Sequence, residues 1–266
     1  MPRMLRPSRT LGTGPAMLES RADQTAGTTM NDKNIPAAER LIFALDVPDA
    51  QRARALVETL GETVRFYKIG LELLMAGGYF ELLDWLAARD KRIFVDLKFF
   101  DVPATVGRAV ARLNDRGVTF CTVHGNQGIM EAAAAAKKDV KVLAVTALTS
   151  LDRGDLEDMG FQCDVPELVL SRARRALEAG CDGVVSSGLE AARLREHLGP
   201  RLMVVTPGIR PVENRPADDQ KRVVTVDQAF ALGADYIVVG RPIRDAADPR
   251  AAAEAIQASI AKATSA

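Results

Sequence analysis

The sequence predicts an α/β fold: a single (β/α)8 TIM barrel behind a disordered N-terminal extension. Three observations carry this. From Leu41 onward, eight short β-branched or apolar runs alternate with stretches of helical periodicity. The runs are continuously apolar rather than alternating, as strands of a parallel sheet buried on both faces are. The first run is followed by Val47-Pro48-Asp49, not by the G-x-G-x-x-G loop that an open doubly wound sheet usually carries there.

Taken in order, residues 1–38 stand apart. They are rich in Arg, Ser, Thr, Gly and Ala, show no sustained apolar period and hold no acidic residue before Glu19. Without an apolar h-region this is not a secretory signal. The Arg-rich, acid-poor start is compatible with a transit peptide, but a disordered tail, or an assigned start upstream of a true one at Met17 or Met30, accounts for it better. The barrel domain is therefore expected over 39–266. Its strands are expected at 41–47, 64–69, 93–97, 120–123, 142–148, 183–186, 203–206 and 236–239.

Helices fill the intervals. Ala50, Ala53, Leu56, Val57 and Leu60 recur at helical spacing after the first run. Ser187 with Glu190, and Thr225 with Gln228, fit capping boxes. Asp248-Pro249 fits an N-cap followed by proline in the first helical turn. Gly61, Gly117, Gly180, Gly199 and Gly233 each fall between a helix and the next strand, where a left-handed turn is expected. Two strand-to-helix connections are long, from Thr149 to about Pro166 and from Pro207 to about Thr225. Barrels build sites and lids from loops on that side.

Composition narrows the partners. Lys+Arg and Asp+Glu balance at 35 each, so no basic excess points to nucleic acid. No apolar run reaches the roughly 18 residues that a membrane span needs. Cys121, Cys163 and Cys181 are far apart with no C-x-x-C pair. That argues against a disulfide framework or zinc site and for a reducing compartment. His124 ends the fourth run and His197 lies on a helix surface. Two histidines without paired spacing suggest no transition-metal site.

The chemistry concentrates at the third run, Phe94-Val95-Asp96-Leu97-Lys98-Phe99-Phe100-Asp101. Residues two apart on a strand point the same way, so Asp96 and Lys98 project together. Buried charges cost several kcal/mol each unless paired. A simple internal salt bridge is one reading of the pair. Asp46 at the end of the first run and Lys68 in the second bring further charge to the same mouth. A cation–carboxylate contact near 4 Å is worth about 4 kcal/mol at an effective dielectric of 20. Recurrence of such charges at consecutive strand ends favours a catalytic network. An anion site is expected separately, at the loops after strands seven and eight. There Gly208 and Gly240 let backbone N–H groups approach, and Arg210 and Arg241 supply guanidinium donors.

F-V-D-L-K-F-F-D, together with A-L-D at Asp46 and K-I-G at Lys68, resembles the orotidine 5′-phosphate decarboxylase family. V-T-A-L-T-S at 145–150, V-T-P-G-I-R at 205–210, D-Q-K-R at 219–222 and V-V-G-R-P-I at 238–243 extend the likeness from about residue 40 onward. The resemblance implies a cofactor-free cytoplasmic enzyme that converts orotidine 5′-monophosphate to UMP and CO₂, the last step of de novo pyrimidine synthesis. It implies that Lys98 stabilises and protonates a carbanion at C6, with Asp96 and Asp101 orienting it. Asp46 and Lys68 would hold the ribose hydroxyls, Thr149 the pyrimidine and Arg241 the phosphate. Gln220 would link lid, phosphate and base. Asp101 and Thr105 would reach across the interface of a homodimer.

Two alternatives remain at this point. A Mg²⁺-dependent sugar-phosphate enzyme of the same barrel group, such as 3-keto-gulonate 6-phosphate decarboxylase, shares the Asp-x-Lys-x-x-Asp pattern. It needs an acidic ligand where this chain has Lys68, and a cation there opposes a metal. The other is a non-catalytic nucleotide-binding barrel, since fold alone never implies activity.

Overall fold

The computed structural model describes residues 33–210 and 223–265. Eight parallel strands close a barrel in chain order: β1 (Leu41–Ala44), β2 (Phe66–Gly70), β3 (Arg92–Phe99), β4 (Val118–His124), β5 (Lys141–Val145), β6 (Gly183–Val185), β7 (Met203–Thr206) and β8 (Tyr236–Val239). Every expected strand is present, and β1 pairs with β8 to close the ring.

Strand parity sorts the core into two parts. Leu41, Phe43, Tyr67, Ile69, Ile93 and Val95 face outward into a shell packed beneath the helices. Ile42, Ala44, Phe66, Phe94, Phe120, Leu143, Met203, Val205, Tyr236 and Val238 fill the barrel itself. Phe120 is the hub of this plug, with ring centroids 5.1 Å from Phe66, 5.9 Å from Phe94 and 5.2 Å from Tyr236. Aromatic rings bury large areas, and edge-to-face pairs add about 0.5–1.5 kcal/mol each. The plug is therefore a rigid floor. Two residues further along the same inward parity come Lys68, Asp96 and Thr122, so the charged layer rests directly on it.

The helix boundaries follow local chemistry. Thr225 and Gln228 form the expected capping box, and Asp248 accepts from Ala251 N–H ahead of Pro249. Ser187 caps instead through Leu189 N–H. All five helix-ending glycines have positive φ, from 55° to 100°. The connection after β5 is not structureless: it holds a short helix, Arg153–Asp158, started by an Asp152–Asp155 capping box. The longer connection after β7 is pinched at its base. There Arg210 N–H donates to Val224 O at 3.0 Å and Val224 N–H to Gly208 O at 3.3 Å.

The expected extension lies mostly outside the described residues. Within 33–38, Lys33 donates to Asp235 at 2.6 Å and to Leu202 O at 2.8 Å, and Ile35 packs on the inner plug. Packing against the barrel thus begins before the boundary expected at 38. Among the described residues no helix is long and apolar enough to cross a membrane.

Candidate active site

A cavity of about 520 Å³ opens at the C-terminal mouth of the barrel. Its wall includes Asp46, Lys68, Asp96, Lys98, Thr149, Gly208, Arg210, Gly240 and Arg241. Nine of the expected site residues are thus brought together from six different strand ends.

The charges alternate along a chain. Lys68 Nζ lies 2.9 Å from Asp46 and 3.4 Å from Asp96, and Lys98 Nζ lies 3.0 Å from the other oxygen of Asp96. The side chains of Lys68 and Asp96 are each 12% exposed and that of Lys98 is 34% exposed. Burial pushes Lys68 towards its neutral form, but Asp96 and Asp46 outweigh it and hold the ammonium above its usual range. Burial likewise opposes the Asp96 anion, and Lys68 and Lys98 outweigh it and hold the carboxyl below its usual range. The network therefore holds the Lys68 ammonium and the Asp96 carboxylate in their charged forms over a hydrocarbon floor.

Lys98 stands on unusual backbone. Its φ is 47°, in the left-handed region. The other non-glycine residues there are Asn34, Asp90 and Asp115, the side-chain types that tolerate it best. The β3–β4 register shows why. Val95 pairs with Cys121 and Phe99 with Val123, so residues 96–98 bulge out opposite Thr122 alone. The bulge turns the end of an inward-facing strand so that both Asp96 and Lys98 meet in the mouth.

Some expected residues lie elsewhere. Asp101 does not contact Lys98 within one chain. It is exposed, and its carboxylate accepts from Val102 N–H at 2.6 Å. Thr105 accepts from Arg108 at 3.2 Å on the outer helix Pro103–Ala111 and does not line the cavity. His124 stacks on Phe100, with centroids 4.4 Å apart, and its Nδ1 lies 2.7 Å from Asn126 Oδ1, so it does not join the charge network. Gln220 lies outside the described residues.

The sequence reading also missed contributors. Arg244 lines the cavity and donates to the Asp46 carbonyl at 2.7 Å, bracing the end of β1 against the helix after β8. Thr122 sits beneath Asp96 and Lys98. Its signal was parity, since it follows inward-facing Phe120 by two. The three cysteines are free, and burial pushes the Cys121 and Cys181 thiols up to about 12. Among the described residues no group of three or more His, Cys, Asp or Glu side chains is placed to hold a metal ion.

Comparison with known proteins gives one consistent result. The profile of the Orotidine 5'-phosphate decarboxylase / HUMPS family matches residues 39–256. An orotidine 5'-phosphate decarboxylase of Methylococcus capsulatus is 70% identical over 231 residues, covering 87% of this chain and 96% of that one. The Xanthomonas campestris protein of the same name is 56% identical over 235 residues, with the same coverages of 87% and 96%. Among solved structures, the orotidine 5'-phosphate decarboxylase of Lactobacillus acidophilus superposes with a TM-score of 0.74 at 35% identity, covering 84% of this chain and 99% of that one.

Proposed function

The chain belongs to the orotidine 5′-phosphate decarboxylase / HUMPS family, and from that premise and its mouth geometry we propose how it converts orotidine 5′-monophosphate to UMP and CO₂. One observation carries the reading: the alternating Asp46–Lys68–Asp96–Lys98 chain, fixed above an apolar floor and opening into the cavity.

Breaking the bond between C6 and the carboxylate leaves an electron pair in the plane of the pyrimidine, where the ring π system cannot delocalise it. Fixed charge and a nearby acid are then the available means of stabilisation. The Lys98 ammonium supplies both. It faces the developing carbanion and delivers a proton to C6 as CO₂ departs. Solvent then reprotonates the amine. Asp96, held ionised by two lysines, orients Lys98 and sets a negative charge beside the substrate carboxylate. Asp46 and Lys68 take the ribose hydroxyls. Thr149 reads the pyrimidine edge. Gly208, Arg210, Gly240 and Arg241, gathered on the facing wall, take the phosphate, and Gln220 joins from the loop above. No cofactor or metal enters this scheme.

Asp101 completes the site from a second copy. The support is its placement: it is exposed and is flanked by Phe100 and Val102, 66% and 62% exposed, which suit burial in a homodimer interface. Thr105 lies in the first turn of the helix that follows, Pro103–Ala111. The three free cysteines suit a reducing cytoplasm. Lys68, paired on both sides by carboxylates, disfavours the metal-dependent sugar-phosphate reading, because an ammonium there repels a divalent cation.

The test is to mix the purified chain with orotidine 5′-monophosphate and follow ultraviolet absorbance with and without EDTA. Conversion to UMP unaffected by EDTA is expected. Conversion abolished by EDTA, or none by folded protein, would refute the reading.

A further inference from the structure

The bulge in β3 leaves a structural need that one side chain meets. Lys98 N–H has lost its place in the regular ladder, because residues 96–98 oppose a single residue of β4. It donates instead to Thr122 Oγ1 at 2.9 Å, and the same hydroxyl donates to Asp96 Oδ1 at 2.9 Å. Thr122 is fully buried, with 0% exposure. Its hydroxyl thus fastens both the backbone that carries the proton donor and the carboxylate that orients it. The arrangement is directional: the proton given to Asp96 leaves the hydroxyl lone pairs free to accept from Lys98 N–H.

A lysine backbone at φ 47° is disfavoured and persists only where surrounding contacts over-determine it. Relaxing it would swing the side chain out of line and move Nζ relative to a substrate held by the far wall. A misplacement of about 1 Å can cost about 10²-fold in rate.

We propose that Thr122 is a positioning residue for the decarboxylation, its hydroxyl locking the strained Lys98 backbone and so aiming the ammonium at C6. The inference rests on the reading of Lys98 as proton donor. A purely structural alternative is that Thr122 only fills space beside Phe120 and Asp96.

The experiment compares Thr122→Val, which keeps the shape and removes the hydroxyl, with Thr122→Ser, which keeps the hydroxyl. Each is measured for kcat, for UMP affinity and for Tm, and native and Thr122→Val crystals are solved. Thr122→Val should lower kcat about 10- to 100-fold while UMP affinity stays within about twofold, the mark of an interaction made in the transition state. Thr122→Ser should recover most of kcat. In the Thr122→Val crystal Lys98 should leave the left-handed region. Thr122→Cys replaces the valine variant if that does not fold. Equal kcat losses in the serine and valine variants, parallel losses of kcat and UMP affinity, or native kcat in Thr122→Val would overturn the proposal. So would a Thr122→Val crystal with Lys98 unmoved. A native chain without turnover would refute the functional reading instead, and the crystal comparison would still decide the positioning.

Discussion

The barrel carries a buried charge network at each end, and the two are built differently. At the N-terminal end, Asp235 Oδ2 receives Lys33 at 2.6 Å, Arg195 at 2.6 Å and Val204 N–H at 2.8 Å, while Arg40 donates to the Asp235 carbonyl at 3.1 Å. Donors surround a carboxylate only 6% exposed. The contacts tie the start of the described chain to β7, β8 and the helix Gly188–Leu198. At the mouth, Lys98 is a third exposed, has Asp96 as its one carboxylate partner among the described residues, and stands on left-handed backbone beside an open cavity. Pairing of buried charge is common to both ends, so pairing alone, without an opening into a cavity, does not mark function. Backbone strain, together with a donor left facing a cavity, does.

The largest expected effect breaks the mouth alone. Lys98→Ala should lower kcat by at least about 10⁴-fold, since one group supplies both electrostatic stabilisation and the proton. Titration calorimetry should still detect UMP binding. Native-like turnover would remove Lys98 from the mechanism. Next, Arg241→Ala should raise KM for orotidine 5′-monophosphate by about 10- to 100-fold, as expected for loss of a charge-assisted contact to phosphate. It should affect the phosphate-free nucleoside far less. Equal effects on both substrates would place the phosphate elsewhere.

The smallest expected effect is a flat pH response of the mouth network. Asp96 is held below its usual range, so its contribution to stability is complete above about pH 3.9, the ordinary value. It is lost as pH falls through the lower folded value. Lys68 is held above its usual range, so its contribution is complete below about pH 10.4 and lost as pH rises through the higher folded value. The Tm difference between native and Asp96→Asn should therefore stay constant between about pH 5 and 9. A difference that changes within that window would mean that Asp96 or Lys68 titrates there.

The two ends also differ in how far the sequence reveals them. Strand runs, helix caps and terminal glycines made the barrel readable, because each rests on local chemistry. Asp46, Lys68, Asp96 and Lys98 were readable because strand parity and chain order place strand ends at one mouth. The Asp235 network was not, since Lys33 falls in a stretch whose composition suggests an extension, and its partner lies 202 residues away. The left-handed Lys98 was hidden because nothing in its residue type asks for positive φ. The bulge that imposes it is a register effect between two strands. Within one chain Asp101 does not reach Lys98, because the strand ends at Phe99 and the aspartate accepts from Val102 N–H.

The most direct test crosses the two networks by neutralising one carboxylate at each end and measuring kcat and Tm on both variants. Asp96→Asn should lower kcat by about 10²- to 10³-fold with the smaller loss of Tm, because Lys68 keeps Asp46 and Lys98 reaches solvent. Asp235→Asn should leave kcat at 25 °C near native and destabilise the fold by about 3–5 kcal/mol, the usual effect of removing one partner from a buried pair. The account predicts that crossed pattern. Parallel losses of kcat and Tm in both variants would contradict it, because the mouth network would then be structural as well.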